Sequence, residues 1–288
     1  MKKLMVFHAL LFFPALTGAG LASTVSLQAS VQGSTKTGAQ WLEQLKSKDA
    51  KARTEAAKEL GEMKDAGALD ALVAALKDRD DDVRAQAAES LGKIKDARAI
   101  NPLIRALREE YWLVQEKVID ALVAIGAPAI EPLIAAIGEV NPGVRNGAIS
   151  VLTRIGEPAV EPLLPALKSA NPIVRRGAAD ALSEIESPRA AEALSQGLKA
   201  KDLAVIAGAY AHFDQGDQPL PDSLIIRALN GYGTQEMAEH YLDDERKQVK
   251  AAVRAWLRAK GFRFVSYLTT SGMRRGIEPT ARTPATSR

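Results

Sequence analysis

Apolar residues recur along the middle of the chain at helical spacing. Val83, Ala87, Leu91 and Ile94 fall at i, i+4, i+8 and i+11, and Ile100, Leu103, Ile104 and Leu107 repeat the pattern one turn-forming break later. The alternation of period two that marks a half-buried strand does not appear there, so each such stretch predicts two short amphipathic helices. The breaks carry their own chemistry. Asp49, Asp80, Asn141 and Asn171 stand where a side-chain oxygen accepts from the free N–H groups opening a first helix, and Pro142 and Pro172 follow in the first helical turn. The second helix opens with Asn101-Pro102, Glu131-Pro132 or Glu161-Pro162, where proline removes no intrahelical bond.

The two-helix pattern repeats. Arg53, Arg84, Gln115, Arg145 and Arg175 follow one another at 31, 31, 30 and 30 residues. Leu60-Gly61, Leu91-Gly92, Ile125-Gly126 and Ile155-Gly156 read as a second landmark on the same beat, and Pro102-Leu103-Ile104, Pro132-Leu133-Ile134 and Pro162-Leu163-Leu164 as a third. A unit of about 30 residues cannot bury its own apolar stripes, so neighbours must stack into one continuous core. The predicted fold is all-α, an α-solenoid forming a right-handed superhelix. A leading helix near Trp41 to Lys46 precedes pairs near 50–78, 81–109, 112–139, 142–169 and 172–200. Two degenerate units, 202–231 and 234–262, complete a repeat region spanning 38–262.

Composition narrows the chemistry. With no cysteine and three histidines (His8, His212, His240) among 288 residues, disulfides, thiolate metal sites and a cysteine nucleophile are excluded within the chain, and a histidine-based metal site has little to draw on. Charge is unevenly placed. From Arg246 to Arg288 there are 11 Lys and Arg against Glu278 alone, whereas Ser23 to Glu245 holds 25 basic and 34 acidic residues. The segment 263–288, rich in Gly, Pro, Thr, Ser and Arg, is expected to be a disordered basic tail, with contact to an anionic membrane surface as its secondary expectation.

At the other end, Lys2 and Lys3 precede an apolar run from Leu4 to Leu16, followed by Gly18, Ala19, Gly20 and Ala22. Charged start, short apolar run and small residues predict an export signal over 1–22, cleaved after Ala22, then a disordered polar stretch over 23–37. The run falls short of the roughly 20 residues a membrane span needs. The expected location is periplasmic or extracellular.

The string Asp-x-x-Val-Arg-x-x-Ala-x-x-x-Leu-Gly-x-Ile, read from Asp80 to Ile94, followed by Ala-Ile-x-Pro-Leu-Ile-x-Ala-Leu, resembles the HEAT-like repeat first associated with phycobilisome chromophore lyases. The resemblance is strong over residues 38–200 and weaker beyond, where Leu224 to Leu229, Met237 to Leu242 and Ala251 to Trp256 are similar to terminal units of exported bacterial proteins of this kind. It implies an architecture that hosts many partners and few chemistries. Deoxyhypusine hydroxylase, an enzyme of this repeat class, holds iron through His-Glu dipeptides, and this chain has none: His212 precedes Phe213 and His240 precedes Tyr241. Phosphate-loop, dinucleotide, zincin and nucleophile-elbow motifs are missing too, so no catalytic residue, cofactor or metal is expected.

The arginines Arg53, Arg84, Arg145 and Arg175 each lie four residues after a capping Asp or Asn and are expected to form a structural ladder with the caps and neighbouring turns. The column Asp70, Asn101, Glu131, Glu161 and Glu192 sits at the start of second helices, where the helix dipole favours negative charge. Tyr111 and Trp112, at an inter-repeat turn near Arg105 and Arg108, are the candidate partner-binding residues, because aromatics and arginine are enriched at binding hot spots. The expected function is an exported, non-catalytic scaffold binding another protein, not nucleic acid, through the concave face of second helices and the inter-repeat turns. The rival is a chromophore-lyase-like or hydroxylase-like enzyme subunit.

Overall fold

The computed structural model describes residues 36–214, 220–269 and 272–279; the expected export signal and most of the stretch to residue 37 lie outside them. From Gly38 to Ala259 the described residues form an all-α solenoid. Helix α1 (Gly38–Gln44) leads, and five pairs follow: α2 (Ala50–Glu62) with α3 (Leu69–Ala75), α4 (Asp81–Ile94) with α5 (Ile100–Ala106), α6 (Trp112–Ile125) with α7 (Ile130–Ala136), α8 (Pro142–Ile155) with α9 (Val160–Ala166), and α10 (Pro172–Ser183) with α11 (Pro188–Lys199). Asp49 accepts from the Lys51 N–H, Asp80 from Asp82 and Val83, Asn141 from Val144 and Asn171 from Ile173. Tyr111 occupies the equivalent position before α6 and offers no side-chain cap.

A single 3₁₀ turn joins the helices of each of the first four pairs and runs directly into the second helix. Asp65 and Asp96 cap two of these turns through the N–H groups of Gly67 and Arg98. Second helices of seven residues are far below the length at which a helix holds itself in water, so packing must hold them. Leu72, Leu103, Leu133 and Leu163, one from each, are fully buried in one core with Leu60, Leu91, Leu122 and Leu152 of the first helices.

The glycine landmark divides into two. Gly61 and Gly92 lie inside first helices, where a Cβ would come within 2.7 Å of Ser90 Cα and 2.8 Å of Ala121 Cα in the next unit. Gly126 and Gly156 instead end their first helices with φ of 76°, the role that Lys64 and Lys95 fill in the preceding units with φ of 50° and 58°. One glycine class lets first helices touch, and the other lets the chain turn. The shared Leu/Ile-Gly dipeptide hid the difference.

The C-terminal units depart from the expected 30-residue frame. α12 (Leu203–Gly208) packs on α10, and α14 (Asp222–Tyr232) packs on α12, so α14 continues the row of first helices instead of serving as the second helix of a 202–231 unit. Their short partners are α13 (Tyr210–Asp214) and α15 (Gln235–His240), and α16 (Lys247–Ala259) stacks on α14. Second helices of five and six residues shorten the units, which a fixed period misses.

The disordered tail is likewise corrected over its described part. β1 (Phe262–Thr269) and β2 (Gly272–Pro279) pair antiparallel from Phe262 opposite Pro279 to Thr269 opposite Gly272, and Arg263 bonds Glu278 at 2.9 Å. The run Phe-Arg-Phe-Val-Ser-Tyr-Leu-Thr is rich in strand residue types, and the basic, Ser/Thr-rich composition of the segment masked it. Residues 280–288 lie outside the description. Among the described residues no single helix is long and apolar enough to cross a membrane.

Close stacking of first helices makes Gly92 and Gly231 unlike. Gly92→Ala should lower stability by about 1–3 kcal/mol through overpacking on Ala121. Gly231→Ala, with nothing within 4 Å and a helical neighbourhood, should raise it by up to about 1 kcal/mol. Urea denaturation of both variants checks the pair.

Candidate protein-binding edge and first-helix cleft

Each ladder arginine reaches across a unit boundary. Arg53 donates from Nε and Nη2 to the Asp78 carboxylate at 2.8 and 2.6 Å, and from Nη1 to the carbonyls of Ser47 and Lys48 at 2.9 and 3.1 Å. Arg84 repeats this with Glu109 at 2.9 Å and the Asp78 carbonyl at 2.8 Å, adding Asp81. Arg175 does so with Asp202 at 2.8 Å and the Ser169 carbonyl at 2.8 Å. The ladder therefore ties the turn before its own helix to the carboxylate of the following turn, 25 or 27 residues on. The neighbouring turns are partners as expected but the caps are not: no hydrogen bond joins the guanidiniums of Arg53, Arg84 and Arg175 to Asp49, Asp80 or Asn171, four residues back. Asp78 and Glu109 share the 31-residue beat of the arginines, the signal that would have found them.

In the middle units the ladder loses its acids. Gln115 bonds the Leu107 carbonyl at 2.9 Å, and the position 25 residues on is Val140, which is 90% exposed. Arg145 bonds only the Glu139 carbonyl, at 3.1 Å; its counterpart is Ala170, and its buried Nε has no hydrogen-bond partner. Along the interrupted part of the ladder, from the turn before Gln115 to the turn before Arg175, the edge carries apolar groups. Trp112 is 65% exposed, with Tyr111 6.5 Å away ring to ring, and Val140 and Ile173 continue the edge across the next two turns.

The four candidate partner-binding residues fall into two sets. Arg105 and Arg108 line a groove of about 640 Å³ between α3 and α5, with Val73, Leu76, Asp78 and Glu109, whereas Tyr111 and Trp112 stand outside its lining. Among the described residues no arginine stacks on either ring. A second groove of about 840 Å³ lies between α9 and α11, where Arg189 bridges Glu161 at 3.2 Å and Glu192 at 3.0 Å. Asp70 and Glu131 occupy first turns of second helices. No group of three or more His, Asp or Glu side chains able to hold a metal occurs among the described residues.

A cleft of about 770 Å³ opens on the first-helix side, between α8, α10 and the C-terminal units. Sequence reasoning missed it, because the shortened units place Tyr210, Glu236 and Trp256 beside Arg145, Arg176 and Asp180, residues far apart in sequence. Burial pushes the Asp180 carboxyl up to about 6 and the Tyr210 hydroxyl up to about 12. Arg176 is held below the usual guanidinium value by burial first and then by the neighbouring charge of Arg145.

Two carboxylates give opposite acid responses. Arg53, bonded to it, holds Asp78 below the usual carboxylate range, so its contribution to stability is complete above about pH 3.9 and is lost as pH falls further. Asp78→Asn should have a lower urea midpoint at pH 7, and its gap to the parent should close in acid. Asp180 binds its proton more tightly folded than unfolded, so stability falls as pH rises from about 4 through about 6. Asp180→Asn should lack that decline and gain on the order of 1–3 kcal/mol at pH 8, read from denaturation across the pH range.

No curated protein matches the chain. Among solved structures, a chain from the phycocyanin lyase complex of Nostoc is 23% identical over 83% of this chain and 99% of that one, with a TM-score of 0.37. A chain from a study of tubulin recruitment by microtubule polymerases is 17% identical over 60% of this chain and 46% of its own, at a TM-score of 0.41. Human deoxyhypusine hydroxylase is 19% identical, covering 77% and 83%, at 0.26. Similarity at these levels says nothing of chemistry. The profile for HEAT repeats matches residues 38–123 and 130–212, more than half of the sequence, and the chain belongs to the HEAT-repeat family.

Proposed function

We propose that this chain is an exported, non-catalytic scaffold that binds another protein through its second-helix face and inter-repeat turns. The observation that carries the reading is the coincidence of two departures from the repeat. The turns beside the interrupted rungs, where the unit opening at Trp112 has Gln115 for its arginine and Val140 stands in place of the next carboxylate, also expose apolar side chains, with Trp112 at 65% and Val140 at 90% exposure. An exposed tryptophan gains nothing for the fold, and a large aromatic beside a gap in a charge ladder is suited to a desolvated hot spot. Ladder arginines on either side fix the turns, so little ordering entropy is lost when a partner seats on them. Arg105 and Arg108, in the adjoining groove, supply charge at the rim of that patch.

Crosslinking and affinity capture from the native envelope fraction, with Tyr111→Ala and Trp112→Ala as comparison, test the reading. Both exposed positions should tolerate alanine within about 0.5 kcal/mol of stability. Recovery of at least one partner should fall tenfold or more. Undiminished recovery of every partner by a folded double variant would remove the turn edge as the binding surface.

A further inference from the structure

Arg145 stands where the ladder has lost its carboxylate. Nε of the other ladder arginines donates to an acid of the following turn; here that residue is Ala170, and Nε is buried without a partner. A buried donor left unbonded carries a desolvation cost that calls for an explanation in the molecule. Beside it on the next first helix is Arg176, half-buried, whose Nη1 donates to the Tyr232 carbonyl at 3.1 Å. Both line the first-helix cleft. Asp180 and Glu236 act on Arg176 through space, yet among the described residues no carboxylate forms an ion pair with either guanidinium.

Two adjacent, un-neutralised guanidiniums in a partly dehydrated cleft repel each other in the empty protein, and an anion between them turns repulsion into attraction. The planar fork of a guanidinium matches a carboxylate with two parallel N–H bonds. Arg154 is paired with Asp120 outside the cleft, so three remaining cationic side chains meet three acidic ones, a balance that suits one monoanion better than a phosphate dianion. Trp256 supplies an aromatic wall for an apolar neighbour of that group.

We propose that the cleft binds a peptide carboxylate between Arg145 and Arg176, with Arg145 turning its Nε edge to the ligand in place of the missing ladder acid. The site is independent of the turn edge assigned above, lying on the first helices and using neither Tyr111 nor Trp112.

The test is a chemical-shift titration of the isotope-labelled full-length chain with four probes. Acetyl-Ala-Glu-Ala-amide carries a side-chain carboxylate, acetyl-Ala-Ala-Ala a terminal one, acetyl-Ala-Gln-Ala-amide neither, and inorganic phosphate is the dianion control. At least one carboxylate peptide should shift the Trp256 indole and cleft amides, and which one binds separates the side-chain source from the chain-end source. Arg145→Gln and Arg176→Gln should each weaken that binding tenfold or more; Arg145→Gln should keep the thermal midpoint because it removes a repelling charge, whereas Arg176→Gln also gives up the Tyr232 bond and is compared at a temperature well below its own midpoint. Arg145→Lys, which keeps the charge and loses the fork, should also bind more weakly than the parent. Absence of shifts with both carboxylate peptides would overturn the proposal. So would equal binding by the glutamine and lysine variants, or tighter binding of phosphate or of the neutral peptide.

Discussion

Contact between the first helices of successive units is the constraint on which the rest of this molecule depends. A seven-residue second helix and a thirteen- or fourteen-residue first helix cannot hold one another in water. Stability comes from laying each first helix against the next, and that requires small residues at the crossing points. Gly61 against Ser90 and Gly92 against Ala121 allow backbone approach that any larger side chain would block. Ser90 goes further, donating its buried hydroxyl to the Ala57 carbonyl across the same boundary at 2.7 Å. Leucines behind these contacts then close a core that runs from unit to unit.

The arginine ladder works on the same boundaries from the turn side. Each intact rung joins two consecutive turns through one guanidinium, satisfying carbonyls at the end of one unit and a carboxylate of the next. Rungs are complete in the first two units and again at Arg175, and the gap falls between them. There, Gln115 and Arg145 keep their bonds to the turn carbonyls but have Val140 and Ala170 across from them. The missing acids leave an apolar turn edge on one side and an unneutralised guanidinium facing a cleft on the other. A structural device interrupted at adjacent rungs thus opens two surfaces of opposite character on one stretch of chain.

Most of this architecture is written in the sequence because the repeats are short and chemically punctuated. Capping Asp and Asn residues, first-turn prolines and the arginine beat place α2 through α11 within a few residues. What was not legible has physical causes. A period is a long-range average, so it failed once α13 and α15 shrank to one turn and α14 joined the first-helix row. A dipeptide shared by two glycine roles could not reveal that Gly92 serves a helix crossing and Gly126 a left-handed turn. Overall composition outweighed the aromatic and β-branched residues in the segment that forms the hairpin. The cleft depends on side chains brought together by those shortened units, and only the three-dimensional arrangement joins Arg176 to Glu236 and Trp256.

Removing one whole unit tests the dependence on neighbour stacking most directly. Deleting residues 112–141 joins the turn after α5 to the start of α8 and deletes one repeat in register. If stability resides in contacts between successive first helices, the shortened chain should remain folded, with helical circular dichroism reduced in proportion to the helices lost and a lower urea midpoint. A deletion variant that loses cooperative unfolding altogether would contradict it, placing the stability in contacts that span distant units.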